Sequence, residues 1–262
     1  MFFVQYRQEI LNMVSKNFMI NLSNSNFFFH PYPHVLFKDI FDFTFYEKLC
    51  SEYPEIENLI KTTEKSTNEL SKFNKFHLNN IDNENKFEGI LKVRKNFREI
   101  YQHLASENFF QKLNNKLIEN NIDLKLDYFK KKFFFKKIKH KFYFEFSSIP
   151  CNGGYILPHT DSPKKKITCV IPIISSSEKK ISGINKIGTS LLVATEDKYK
   201  FNFYNKTVPF DATKEEKYIE FLPNQMFMFI KTYNSLHSVG PIQSIEKEYN
   251  YRKSLTITFI EQ

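Results

Sequence analysis

The spacing of apolar residues along the chain predicts helices in its first half. From Ile90 to Leu117 apolar residues recur every three or four positions, which predicts two amphipathic helices, and Ser106 is a suitable N-cap for the second. The same reasoning assigns shorter elements upstream. These are a helix over residues 6–18, a strand over 35–41, a helix over 45–53 and a polar loop over 55–86.

The pattern changes at Leu124. From there to the last residue, apolar and polar positions alternate, with breaks rich in Pro, Gly and Ser, which predicts a series of β-strands. Residues 1–123 are therefore expected to be helix-rich and residues 124–262 β-rich, which places the chain in the α+β class. Because no linker dense in Gly or Pro separates the halves, we expect a single domain over residues 1–262.

The charge balance is basic, with 38 Lys and Arg against 29 Asp and Glu, a net charge of +9. Such a charge could attract nucleic acid, anionic lipid or an acidic substrate, but a basic surface without such a partner is the favoured explanation. The densest basic run, residues 129–141, alternates Lys with Phe residues that a core would bury. No apolar run approaches the roughly 18 residues of a membrane span, so no membrane partner is expected.

The cysteine content points to a reducing compartment. Cys50, Cys151 and Cys169 form no Cys-x-x-Cys pair, and an odd number argues against a disulfide framework. No secretory signal pattern is present at the start of the sequence, so the cytoplasm is the expected location.

Candidate chemistry begins at His159 and Asp161, near an expected strand end. In an extended segment residues i and i+2 face the same side, so the imidazole and the carboxylate are expected to project together. His237 follows a second apolar strand, 76 residues after Asp161 (237 − 161). Two His and one carboxylate with open positions form the ligand set of non-haem Fe(II) oxygenases. On a later alternating strand, Arg252 and Ser254 share a face and could bind a carboxylate.

The order His159-x-Asp161, then His237, then Arg252-x-Ser254 resembles the signature of the Fe(II)/2-oxoglutarate-dependent dioxygenases, especially the prolyl-hydroxylase-like branch. Further similar segments bring the resemblance to most of the chain from about Tyr32 onward. The resemblance implies a double-stranded β-helix core, a jelly-roll or cupin-like fold, against which the N-terminal helices pack. It also implies that the two His and the Asp bind Fe(II), while Arg252 and Ser254 bind the cosubstrate 2-oxoglutarate.

Two positions depart from the family pattern. Many prolyl-hydroxylase-like enzymes have a tyrosine ten residues before the first metal-binding His, where this chain has Ile149. Another tyrosine of the family, on the strand after the motif, is replaced near Pro172. We therefore expect the cosubstrate pocket to be built differently here. Tyr143, Tyr155 and Thr168 are further pocket candidates.

The resemblance implies a hydroxylase that uses O2 on a C–H bond of a small-molecule or peptide substrate and releases succinate and CO2. The Asp161 carboxylate favours hydroxylation over halogenation, since related halogenases lack it. Three alternatives stay open: a metal-binding jelly-roll isomerase or lyase, a non-catalytic binding module, and a nucleic-acid demethylase. No nucleic-acid partner is expected, because no second arginine follows Arg252 in the remaining sequence. Residues 175–187 are predicted to form either a substrate lid or a surface loop.

Overall fold

A computed structural model describes residues 25–62, 75–122, 124, 140–175, 184–244 and 251–261. The predicted helix over residues 6–18 and most of the basic run 129–141 lie outside these residues, as does most of the predicted lid or loop. Within the described part, four α-helices precede the main body of strands. They are α1 (Phe43–Glu52), α2 (Glu84–Val93), α3 (Lys95–Leu104) and α4 (Glu107–Glu119).

The strands of the described residues pair antiparallel throughout and form three sheets. Seven strands make the largest sheet, in the order β1-β10-β6-β13-β4-β3-β2, four make a second in the order β5-β11-β8-β9, and β12 pairs with β7. Their bounds are β1 (His34–Lys38), β2 (Ile60–Lys61), β3 (Phe76–Asn79), β4 (His140–Pro150), β5 (Ile156–His159), β6 (Lys165–Pro172), β7 (Ile184–Asn185), β8 (Thr189–Ala194), β9 (Thr213–Ile219), β10 (Gln225–Ile230), β11 (Leu236–Val239), β12 (Gln243–Ser244) and β13 (Tyr251–Glu261).

The apolar pattern predicts α4 correctly, but the prediction of a single helix upstream, from Ile90 to Leu104, is wrong. Ser106 caps α4, and its Oγ accepts a hydrogen bond of 3.2 Å from the Phe109 backbone N–H. The upstream amphipathic segment is interrupted at Arg94, whose φ of −106° and ψ of 78° are not helical, so that α2 and α3 are separate helices. The predicted helix over residues 45–53 is confirmed as α1, and Asp42 is its N-cap.

The prediction of one polar loop over residues 55–86 is wrong. This stretch contains β2, β3 and the first residues of α2. Strand β3 pairs with β4 from Phe76, opposite Ser148, to Asn79, opposite Glu145. This short strand is held by backbone hydrogen bonds to β4 on one side and to β2 on the other, so it needs no strong alternation of its own.

The seven-stranded sheet lies between the helices and the smaller sheet. On one face, Phe146 of β4 packs edge-on against Phe97 of α3, with ring centroids 4.9 Å apart, and lies near Phe87 of α2. On the other face, Phe229 of β10 belongs to a buried cluster with Leu191 of the four-stranded sheet. The seven-stranded sheet therefore separates two buried layers, one against the helices and one against the smaller sheet, and the candidate site lies at the end of β5 in the second layer.

No α-helix follows α4 in the described residues, and strands β4 to β13 all lie after residue 124. The fold is thus a mixture of helices and antiparallel sheets. None of the helices that the structure describes is both long and apolar enough to cross a membrane.

Candidate active site

Strand pairing brings the two candidate histidines together. His159, the last residue of β5, lies directly opposite His237 in the antiparallel pair of β5 and β11. The centroids of the two rings are 4.2 Å apart, and the Phe229 ring lies 4.5 Å from that of His237. Two histidines that are 78 residues apart along the chain (237 − 159) are therefore brought into contact by the pairing of β5 with β11.

Asp161 joins the histidines, but not through the geometry that the sequence predicted. β5 ends at His159, and Asp161 has a positive φ of 67°, so the two residues are not successive inward positions of one strand. This left-handed turn directs the carboxylate toward both rings. Asp161 Oδ1 lies 3.7 Å from Nε2 of His159, and Oδ2 lies 3.9 Å from Nε2 of His237. The candidate ligand atoms of the three buried residues all lie within 4.8 Å of one another.

Backbone carbonyls determine which nitrogen of each imidazole faces the carboxylate. His159 Nδ1 lies 2.9 Å from the Leu157 carbonyl oxygen, and His237 Nδ1 lies 3.1 Å from that of Ser235. Because a carbonyl oxygen can only accept, each Nδ1 carries the proton and donates it. Each Nε2 is therefore left with its lone pair directed at Asp161, the arrangement of a metal-binding histidine oriented by a neighbouring hydrogen bond.

The electrostatic environment keeps these groups in the protonation states that a metal requires. Burial alone would raise the pKa of the Asp161 carboxyl, but Lys165 and the two histidines outweigh it and hold that pKa well below its usual range. Burial, assisted by the neighbouring His159, lowers the pKa of His237 to about 3. At neutral pH the site therefore offers an ionised carboxylate and a neutral His237 imidazole.

Two side chains hold the Asp161 carboxylate in place. Thr168 of β6 donates its hydroxyl to Oδ2 at 3.0 Å, and Lys165 donates to Oδ1 at the same distance. Next to the aspartate, the buried Thr160 hydroxyl donates to the Asn202 carbonyl, which ties the turn to a neighbouring loop. The orientation of the carboxylate is thus imposed by the surrounding fold.

Arg252 and Ser254 line the same cavity as the three candidate ligands, a space of about 310 Å³. Both residues are almost fully buried on β13. The Arg252 Nε donates to the Ile187 carbonyl at 2.6 Å, and the guanidinium carbon lies 4.2 Å from the centre of the Phe221 ring. These contacts fix the position of a buried cation at the wall of the cavity.

The two departures from the family pattern have clear structural consequences. Ile149 lies opposite Arg252 on β4 and is buried in an apolar cluster with Cys151 and Val239. Pro172 accepts a 3.0 Å hydrogen bond through its carbonyl from the Tyr46 hydroxyl of α1. Neither position supplies a side-chain hydroxyl to the cavity.

The structure adds cavity residues that the sequence did not single out, chiefly Lys75, Glu145 and Lys165. A signal for Glu145 existed: on β4, three Phe residues alternate with Tyr143, Glu145 and Ser147, so the polar members share one face. Tyr143 and Thr168 do line the cavity. Tyr155 is not among the lining residues, and its ring lies 6.4 Å from that of Phe210.

Comparisons with known proteins bear on the fold. No protein-family model matches the sequence, and no curated protein matches it. Several solved structures do match the chain. A prolyl hydroxylase from Trichoplax adhaerens, in complex with a hypoxia inducible factor oxygen degradation domain peptide fragment, superposes with a TM-score of 0.51 at 11% identity, over 99% of this chain and 93% of that chain.

Two further solved structures are similar over much of their length. A prolyl-4-hydroxylase from Pseudomonas putida has a TM-score of 0.47 at 12% identity, over 96% of this chain and 100% of that chain. A 2OG-Fe(II) oxygenase family oxidoreductase from Burkholderia pseudomallei has a TM-score of 0.43 at 10% identity, over 87% of this chain and 84% of that chain. At such low sequence identity, the first superposition is evidence for the fold only. The predicted resemblance to the prolyl-hydroxylase-like branch is confirmed at that level.

Proposed function

We propose that this protein is an Fe(II)- and 2-oxoglutarate-dependent dioxygenase that hydroxylates a C–H bond of a small molecule or peptide. One observation carries the proposal: a buried cluster of His159, Asp161 and His237 opens into the same cavity as the buried Arg252. A metal centre next to a fixed guanidinium is what an enzyme needs if it binds a metal and a dicarboxylate side by side.

His159, Asp161 and His237 would hold the Fe(II). The donor set of two imidazoles and one carboxylate, with the remaining positions open toward a cavity, fits that metal. The carboxylate-to-imidazole distances of 3.7 and 3.9 Å fall within about twice a first-row metal–ligand bond of about 2.0–2.2 Å. When bound, iron and 2-oxoglutarate supply the oxidising chemistry, in which O2 is consumed, succinate and CO2 are released and the substrate gains a hydroxyl group.

Arg252 and Ser254 would hold the far carboxylate of 2-oxoglutarate. Arg252 is 3% exposed and Ser254 is 1% exposed, so a carboxylate bound by them is shielded from water. In such an environment a hydrogen-bonded charge pair is stronger than it is at the surface. The role of the protein is then to orient the cosubstrate and to exclude water from the metal.

The fold supports the same proposal. We propose that the seven- and four-stranded sheets are the two halves of a double-stranded β-helix, and that residues 1–262 act as one catalytic domain. His159 and His237 then lie where strand ends of the smaller sheet meet the cavity between the sheets. The absence of a disulfide at Cys50, Cys151 and Cys169 suits the reducing cytoplasm, which we propose as the location.

The test is reconstitution with metal under anaerobic conditions, followed by binding and turnover measurements. Wild-type protein should bind about one Fe(II) per chain, bind 2-oxoglutarate only when metal is present, and form succinate once O2 is admitted. Asp161→Ala should lose all three properties, because the cluster loses its anionic ligand. His30→Ala is a matched control, since His30 is an exposed histidine whose side chain bonds Glu216 outside the cavity.

The alternatives predict different results. A jelly-roll isomerase or lyase would retain metal but show no metal-dependent binding of 2-oxoglutarate. A non-catalytic module would retain neither. Metal-loaded wild-type protein that does not bind 2-oxoglutarate and forms no succinate would therefore refute the proposed function.

A further inference from the structure

Next to the metal cluster the cavity has a wall of charged side chains, of which only Lys165, through its contact with Asp161, has a role in the proposed metal site. Four charged residues line it, Lys75, Asp82, Glu145 and Lys165, together with Tyr143. We call these five residues the charged wall. Two of its charges are positive and two are negative, so the wall has both signs but no net excess of either.

Glu145 is the centre of the charged wall. Its side chain is 4% exposed, and its carboxylate lies 2.6 Å from Lys75 Nζ and accepts a 2.5 Å hydrogen bond from the Tyr143 hydroxyl. His77 Nδ1 lies 3.5 Å from the same carboxylate. Burial alone would raise the pKa of Glu145, but Lys75 and His77 reverse that effect and hold the pKa well below its usual range. The carboxylate is therefore ionised inside the cavity.

The charged wall reaches the metal cluster through Lys165. The ammonium group of Lys165 lies 3.0 Å from Asp161 Oδ1 and 5.9 Å from the centre of the Tyr143 ring. A molecule that contacts both Lys165 and Glu145 would thus lie beside the candidate metal ligands. That is the position a substrate must occupy if one of its C–H bonds is to face the metal.

Packing does not require these charges. Phe144 and Phe146 on the opposite face of β4 already bury their side chains against the helices. A buried ion pair contributes little net stability compared with well-packed apolar residues, because desolvating two charges offsets their attraction. Charges that face a cavity and that packing does not need are better explained by binding.

A polar atom without a partner supports the same conclusion. The Thr62 side chain lines the cavity beside the charged wall, and its backbone N–H donates to the Lys75 carbonyl at 2.8 Å. Its buried Oγ1 has no hydrogen-bond partner among the described residues. Because buried hydroxyls are nearly always satisfied, a bound polar molecule is a natural partner for this oxygen.

We infer that the charged wall binds a small zwitterionic substrate of the free amino acid class. Its carboxylate would lie near the ammonium groups of Lys75 and Lys165, and its ammonium group near the carboxylates of Glu145 and Asp82. This inference rests on the proposed function and adds the substrate class to it. An apolar substrate is disfavoured because it would displace water from the buried charges without replacing its hydrogen bonds. A polyanion is disfavoured because the carboxylates of Glu145 and Asp82 would repel it.

The size of the cavity agrees with a small substrate. About 310 Å³ is at the low end of the range for ligand sites, and this space must hold 2-oxoglutarate as well. The reaction balances as substrate C–H plus 2-oxoglutarate plus O2 giving substrate C–OH plus succinate plus CO2. O2 takes up four electrons, two from the C–H bond and two from 2-oxoglutarate as it loses CO2, and one oxygen atom enters each organic product.

The first experiment measures succinate formation by the Fe(II)-loaded wild-type protein. The additions are the standard free amino acids, their N-acetyl and methyl ester derivatives, and short peptides. We expect at least one free amino acid to raise succinate formation on the order of tenfold. Its N-acetyl and ester derivatives should stimulate succinate formation at least about tenfold less, since each derivative lacks one charge that the wall would pair.

The second experiment compares variants with the amino acid that stimulates most. Glu145→Gln and Lys75→Met should each raise its KM by on the order of tenfold or more, because each removes one charge with which the substrate would pair. Glu145→Gln should also weaken the preference for the free amine over its N-acetyl derivative, which a loss of structure alone would not do. Lys75→Met carries the test if Glu145→Gln does not fold. Glu216→Gln is the matched control, because Glu216 pairs with Lys214 on the exposed side of β9.

The outcomes separate the two proposals. Succinate formation that only peptides or uncharged molecules stimulate would overturn the zwitterion inference and leave the dioxygenase intact. An unchanged KM in both Glu145→Gln and Lys75→Met would also overturn it. Failure of the metal-loaded wild type to bind 2-oxoglutarate would instead refute the proposed function, and the inference with it.

Discussion

Replacing Arg252 with Ala should weaken 2-oxoglutarate binding far more than it weakens metal binding. The guanidinium is buried, held by the Ile187 carbonyl and stacked on Phe221, and it lines the cavity about the metal cluster without being one of the three candidate ligands. Its removal would leave the far carboxylate of the cosubstrate without its cationic partner in a water-poor site. The variant should therefore retain about one metal per chain while it loses affinity for the cosubstrate.

The size of the loss follows from burial. Removing one partner of a buried charge pair costs about 2–5 kcal/mol. Because Arg252 is almost fully buried, we expect the upper half of that range. At about 1.4 kcal/mol per tenfold, this is a rise in Kd on the order of 100-fold or more.

The assay is calorimetric titration of 2-oxoglutarate into protein loaded with Mn(II) under anaerobic conditions, so that no turnover interferes. Lys253→Ala is the matched control, because Lys253 is the adjacent cation on the alternate face of β13 and does not line the cavity. Arg252→Lys should be intermediate, since it keeps the charge but loses the planar pair of donors. Equal affinities for wild type and Arg252→Ala, with both proteins folded by thermal unfolding, would show that Arg252 does not bind the cosubstrate.

Three further predictions concern the fold and the partners. Ser106→Ala should lower the free energy of unfolding by about 1 kcal/mol in urea titrations, because the Phe109 N–H at the start of α4 loses its acceptor, whereas Ser106→Thr should retain most of it. Gly188→Ala should destabilise the protein by about 1–3 kcal/mol, since the added methyl group would clash with the Ile219 carbonyl and the Tyr218 ring; a variant as stable as wild type would contradict the packing around β9. Oligonucleotide binding should be weak and should disappear near 0.15 M salt, with a log–log slope of about −0.7 to −0.9 per phosphate contact, whereas tight binding at that salt with stimulated succinate formation would favour the demethylase.

Much of the local structure could be predicted from the sequence, because local physical preferences decide it. The apolar periodicity around α4 and the hydroxyl of Ser106 specify a capped amphipathic helix without reference to the rest of the chain. The alternation from Leu124 onward likewise predicts strands. The five candidate site residues were recognisable because their types and order resemble a known signature, which is information that the sequence carries whatever the fold.

Tertiary structure decided what depends on contacts between distant segments. β3 is a strand because β4 offers it backbone partners, and the left-handed turn at Asp161 aims a carboxylate that an extended strand would have placed differently. The charged wall has the same origin. Lys75 and Glu145 are 70 residues apart in sequence, and no local pattern relates them, yet the pairing of two strands places their charges 2.6 Å apart. Sequence thus determines which groups are available, whereas the three-dimensional pairing of strands determines which of them can act on one molecule.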